Sequence, residues 1–307
     1  MLDVYHAAQS RVKEGDLHGS PRLAKRIVTG VASPDRSGRD SIEPMLPPAD
    51  HRPWPLPRGP WIMRQTWHDL LFAHWPVKAD SLRPLVPEGL SLDLHAGEAW
   101  VSVIPFHMTG IGLRGFPGLP GFSAFPEVNV RTYVTREGKP GVYFLSLDAT
   151  AAAAMWMARA WYHLRYLRAA ISVELGEKAV RYRCRRVEGP RPAELRAAYG
   201  PVAEARPAAA GSLEHWLVER YCLYALGRKQ RLYRAQIHHL PWRLQPAEAE
   251  IERNTMALSH RIPLPDTRPC CTSPGGWKRW SGLPSGWILT SRAQRGNPTP
   301  SKGVWSR

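Results

Sequence analysis

Residues 125–148 read FPEVNVRTYVTREGKPGVYFLSLD, and the alternation in this stretch decides what the rest of the chain can be. Val128, Val130, Thr132 and Val134 recur at every second residue, so they share one face of a strand; Glu127, Asn129, Arg131 and Tyr133 share the other. The segment Arg136–Gly141 supplies a turn, and VYFLSL returns as the partner strand, so the stretch is a β-hairpin. With Thr135 opposite Val142, Arg131 faces Ser146 and Asn129 faces Asp148. That register gathers Glu127, Asn129, Arg131, Ser146 and Asp148 within about 15 Å, at roughly 3.3 Å per residue. A one-residue slip would break the set. A polar strand face is commonly just a solvated outer face. Here the returning strand is apolar at nearly every position, which argues for burial on both sides. A buried arginine needs a carboxylate partner or an anionic ligand, and a guanidinium in a dry site grips a carboxylate or enolate oxygen bidentately.

Upstream, WIMRQTWHDLLFAHWPV (residues 61–77) reads as a buried strand, LRPLVPEGL as a turn-rich crossover, and SLDLHAGEAWVSVIPF as a second hairpin turning at His95–Glu98. Gly110–Gly121 is Gly/Pro-rich and reads as a loop. Downstream, DATAAAAMWMARAWYHL reads as a helix capped by Asp148 or Thr150, with Met155, Ala158, Arg159 and Tyr162 on one face. Arg159 joins the candidate substrate-binding residues. Strands follow at 169–175 and 178–187, then a Pro/Ala-rich connection at 189–211. A helix is expected at 212–226 with Ser212 as cap, a strand at 230–245, and a short helix at 247–258.

The two ends differ in texture from this middle. Residues 1–60 hold nine prolines and no sustained period, and read as a disordered Pro-rich leader. Residues 268–307 hold seven Lys/Arg, no acid and four of the 13 tryptophans, and read as a basic tail of low order. With 34 Arg to 8 Lys the chain looks GC-rich in origin, and such a tail fits the readout of a shifted reading frame; deleting 268–307 is then expected to leave folding intact. A single domain is assigned to 61–267. Of the net charge of +16, the leader carries +2 and the tail +7, so the central 207 residues carry only +7. Arg181, Arg183, Arg185 and Arg186 form a basic strand around Tyr182, which reads as a solvated charged face, and nucleic acid is not expected as a partner.

Other chemistries lack their signatures. No HExxH, CxxC or GxSxG occurs, and Gly110–Gly115 carries the letters of GxGxxG without the strand–turn–helix context that gives them meaning. His68 and His74 read as core or edge residues, and adjacent His238 and His239 would point to opposite faces. The four cysteines suggest reduced structural thiols. No metal or cofactor is expected. No apolar run spans a membrane and the start is not a secretory signal, which makes the cytoplasm the default compartment.

The blocks WHDLLFAHWPV, LRPLVPEGLSLD, GEAWVSVIPF, FPEVNVRTYV, GKPGVYFLSLDA, LVERYCLY and IHHLPWRLQPAEAEI stand in an order that resembles the YqjF-like family of uncharacterised bacterial proteins, over about residues 61–265. The resemblance implies an acetoacetate-decarboxylase-like α+β fold: a β-rich, barrel-like antiparallel sheet with a few peripheral helices around an internal pocket. In the decarboxylase, a pocket lysine of depressed pKa forms a Schiff base with a β-keto acid. Lys78, Lys139, Lys178 and Lys229 all sit in or beside turns, so none takes that role here. Arg165 also replaces a proline usual in the family. The resemblance therefore implies a binder of a small anionic molecule, or an enzyme on keto-acid-like or other small carbonyl compounds that works without the lysine. Arg131 would hold the anion, Glu127 would act as acid/base, and Asn129, Ser146 and Asp148 would complete the site. A non-catalytic ligand binder and a charge-driven structural or nucleic-acid-associated protein are the alternatives, and homo-oligomerisation is compatible with each.

Overall fold

A computed structural model describes residues 46–115, 124–150, 163–275 and 285–294. The strands in chain order are β1 (Met63–His68), β2 (Phe72–Val77), β3 (Ser91–Leu92), β4 (Ala99–Leu113), β5 (Phe125–Arg136), β6 (Lys139–Ala149), β7 (Tyr166–Leu175), β8 (Val180–Arg186), β9 (Glu194–Pro201), β10 (Arg206–Pro207), β11 (Cys222–Leu226), β12 (Leu232–His238), β13 (Arg243–Asn254), β14 (Cys270–Pro274) and β15 (Ser285–Gln294). Two short α-helices, α1 (Ala79–Leu82) and α2 (Leu213–Val218), lie among them.

The pairings close on themselves. From β5 the ladder runs through β4, β2, β14, β13, β9, β8, β7 and β6 and returns to β5, a closed barrel of nine strands. A second circuit leaves β6 through β11, β12, β15 and β1 and rejoins β4. Among the described strands, the β6–β7 and β6–β11 ladders are parallel and the rest antiparallel. Because β4, β5 and β6 belong to both circuits, each of their faces meets a core. Val101, Val103, Val128 and Val130 enter one cluster with Tyr182, Leu195 and Tyr199; Trp100, Ile104, Phe106 and Tyr133 enter a second with Phe72, Leu217 and Leu223. This two-sided burial is what the apolar β6 sequence required.

Several expectations shift, each for a local reason. The segment 61–77 is two strands, broken where Asp69 takes φ 49°. The turn between β5 and β6 is the two residues Glu137 and Gly138, at φ 52° and 68°, rather than Arg136–Gly141. Gly141 serves a different need: a Cβ there would stand 2.6 Å from the Cys222 carbonyl oxygen, so β11 lies close against this point. Ser212 caps α2 through the His215 amide as expected, but the helix stops at Val218 and Cys222–Leu226 is strand. Residues 247–254 are strand rather than helix, because Ala247, Ala249 and Ile251 pack inward at period two with glutamates between them. The 189–211 connection contains β9, and Gly110–Leu113 extends β4. Most of the helix expected at 148–164 lies outside the described residues.

The described parts of the leader and tail segments are more engaged than their composition suggests. Residues 47–54 bind β12 and the residue after it: Arg52 donates to the Ile237 carbonyl at 2.6 Å, His51 Nε2 lies 2.8 Å from the His239 carbonyl, and Trp54 Nε1 donates to Gln236. Past residue 267, β14 fills the gap between β2 and β13, and β15 bridges β1 and β12. Both strands lie within 268–307, and they complete the two circuits.

Candidate functional site

Strand β5 carries Glu127, Asn129, Arg131 and Tyr133 on its second-core face. Antiparallel pairing sets Phe106, Ile104 and Ser102 of β4 opposite the first three. Glu127 is 2 % exposed and accepts a hydrogen bond from the Tyr166 hydroxyl at 2.9 Å. Burial pushes its carboxyl up to about 8, against the opposing effects of the Tyr166 and Asn129 hydrogen bonds. At neutral pH Glu127 is therefore mainly a neutral acid, able to donate a proton.

Two turns of the pleat away, Arg131 spreads between aromatic rings. Its guanidinium lies 5.6 Å from the ring centres of both Phe72 and Tyr133, and Nη2 reaches the Leu217 carbonyl at 3.4 Å. Beside it His74 Nδ1, Ser102 Oγ and the Tyr133 hydroxyl form a closed triangle with sides of 2.7, 2.7 and 3.2 Å. Burial, and then the Arg131 charge, hold His74 well below its usual range, so it stays neutral. Arg220, on the segment leading out of α2, reaches the same Tyr133 ring: it is 5.0 Å from that ring, 4.2 Å from Trp216, and donates to Asp93 Oδ2 at 2.5 Å. Buried atoms without a hydrogen-bond partner collect here: His74 Nε2, Trp100 Nε1, Asn129 Oδ1, Arg131 Nε, and Arg220 Nε and Nη2. Each is costly to leave unsatisfied in a low-dielectric interior.

Ser146 and Asp148 are not part of this group. Arg131 pairs with Phe144 while Val130 pairs with Ser146, so Leu145 is a β-bulge residue. The bulge turns Ser146 and Asp148 onto the first-core face. There Arg186 of β8 grips Asp148 bidentately at 2.6 and 2.8 Å and donates to Ser146 and Ser259, while His260 bonds Ser146. Every nitrogen of that guanidinium is partnered, so the cluster reads as an internal structural ion pair. Arg159 lies outside the described residues. Arg181, Arg183 and Arg185 are exposed, as the basic-strand reading anticipated, whereas Arg186, expected on the same solvated strand, is buried against Asp148.

Sequence reasoning discounted His74 and did not single out Ser102, Tyr166 or Arg220. No local signal marks Arg220, because the early end of α2 is what aims it. Among the described residues, no three His, Cys, Asp or Glu side chains gather as a metal site. Lys78, Lys178 and Lys229 are exposed, and Lys139 lies 5.5 Å from the Trp54 ring, so none of the four reaches Glu127 or Arg131 as a Schiff-base residue would. No helix among the described residues is long and apolar enough to cross a membrane.

The closed nine-strand barrel, with few helices among the described residues, defines a protein of the acetoacetate-decarboxylase-like fold. Solved structures agree on the fold. The acetoacetate decarboxylase of Legionella pneumophila superposes with a TM-score of 0.51 at 14% identity, covering 80% of this chain and 93% of its own. The enduracididine biosynthesis enzyme MppR, solved with pyruvate, superposes with a TM-score of 0.50 at 13% identity, covering 78% and 91%. The chain belongs to the DUF2071 family of uncharacterized conserved proteins, which matches residues 64–276. The uncharacterized protein YqjF of Bacillus subtilis (strain 168) is 49% identical over 214 residues, 70% of this chain and 88% of YqjF.

Proposed function

We propose that the protein binds a small anionic molecule, of the carboxylate class, between β4, β5 and α2, and acts on it as a keto-acid-like or other small carbonyl compound without a lysine adduct. Arg131 holds the anion, neutral Glu127 supplies a proton and its carboxylate then takes one back, and Asn129 orients the carboxyl through its amide. The observation that carries this reading is the set of buried, unpartnered guanidinium nitrogens, Arg131 Nε with Arg220 Nε and Nη2, whose N–H groups an anionic oxygen would satisfy. The pyruvate named with one fold neighbour lends support. Simple non-catalytic binding at the same place is favoured by the absence of a lysine near Glu127 among the described residues.

Calorimetric titration with small keto acids tests the reading. Arg131→Gln removes charge-assisted hydrogen bonds of about 1.5–3 kcal/mol, so affinity should fall roughly 10–100-fold. Borohydride should trap no adduct. Undiminished binding by the variant would remove Arg131 from the site, and covalent capture would restore the lysine mechanism.

A further inference from the structure

The charges around Tyr133 do not balance. Arg131 and Arg220 approach the same ring, at 5.6 and 5.0 Å, and among the described residues one carboxylate, Asp93, is ion-paired with either of them. Asp93 takes only Nη1 of Arg220, leaving Nε and Nη2 of a side chain that is 5 % exposed without partners. His74, which bonds the Tyr133 hydroxyl, stays neutral and supplies no counter-charge. Two guanidiniums against one carboxylate leave one positive charge without a partner, on a half-buried Arg131 beside the buried Arg220, and an arriving anion would pair with both.

We propose that Arg131 and Arg220 form a two-guanidinium receptor for a single negative charge, so that the ligand is a monocarboxylate in preference to a dicarboxylate, and that Asp93 sets this preference. The proposal rests on the anion-binding reading above and adds to it a second binding residue and a charge class. Asp93 is anchored by its backbone, whose amide donates to the Tyr133 carbonyl at 3.0 Å and so ties the segment after β3 to β5 beside the ring. A second ligand carboxylate would meet Asp93, and like charges in low dielectric repel strongly. Trp216, 4.2 Å from the Arg220 guanidinium, holds that side chain in line.

Calorimetric titration of the full-length protein at pH 7 with butyrate and succinate, two four-carbon probes, reads the charge preference directly. The expected result is butyrate binding about tenfold tighter than succinate. Asp93→Asn should erase or invert that ratio, because two unopposed guanidiniums suit a dianion, whereas a merely structural Asp93 would weaken both probes alike. Arg220→Gln should weaken butyrate at least tenfold; Arg220→Lys, which keeps the charge, should recover part of it if the glutamine variant folds poorly. Succinate binding as tightly as butyrate, or an Asp93→Asn ratio unchanged from wild type, would overturn the proposal. Butyrate binding that depends on Arg131 but not on Arg220 would also overturn it while leaving the anion-binding reading standing. Binding of neither probe would overturn both.

Discussion

Glu127 has lost its water and gained two neutral partners, and the consequence is a pH dependence of stability. Its folded pKa of about 8 lies above the ordinary 4.5, so between those values the native state binds a proton that the unfolded state has released. The stabilisation is complete below about pH 4.5 and is lost as pH rises through 8. Glu127→Gln mimics the protonated form and removes this loss. Its melting temperature relative to wild type should therefore be clearly more favourable at pH 9 than at pH 6; an equal difference at both would mean Glu127 is already ionised in the folded protein. The alternation of residues 125–134 exposed this side chain to sequence reasoning. Arg220 was not legible, since its role depends on where α2 ends, and helix ends are set by tertiary contacts as much as by capping.

The β5–β6 hairpin shows how one residue of register redistributes chemistry. Pattern alone gave both strands and their two buried faces. It could not give the bulge, because Leu145 is an ordinary strand residue and a bulge has no fixed local signature when its residue is not glycine. Without the bulge, Asp148 would sit opposite Glu127 in the second core; with it, Asp148 meets Arg186 in the first. Deletion of Leu145 should therefore force a choice between the two cores. We expect loss of a cooperative thermal transition, or a drop in stability of about 3–5 kcal/mol from stranding the Arg186 charge. Denaturant melts of the deletion variant check this, and a wild-type midpoint would mean that the Asp148–Arg186 pair forms in either register. The same period-two logic explains β13: Ala and Glu favour helix locally, yet the alternation of Ala247, Ala249 and Ile251 with glutamates fits a sheet buried on one face.

Closure is the property that belongs to the whole molecule. β14 and β15 come from the part of the chain least like a folded domain by composition, yet each bridges two strands that would otherwise be edges. Truncation after Thr267 should lower the melting temperature by roughly 10 °C or more, since about 1 kcal/mol shifts Tm by roughly 2–4 °C at this size and two ladders are lost at once. A truncated protein that melts with the full chain would show the two circuits to be stable when open. The order of residues along the chain was enough to establish the strand-rich class, the family, and the row of Glu127, Asn129 and Arg131, because side-chain period and burial are local properties of a pleated strand. It was not enough to show that Ser146 and Asp148 serve a separate ion pair, that His74, Tyr133 and Arg220 gather around Arg131, or that residues 47–54, β14 and β15 engage the rest of the sheet. Those outcomes turn on one bulge, one helix end and the closing of ladders between distant strands, and such events are fixed by long-range pairing rather than by neighbouring residues.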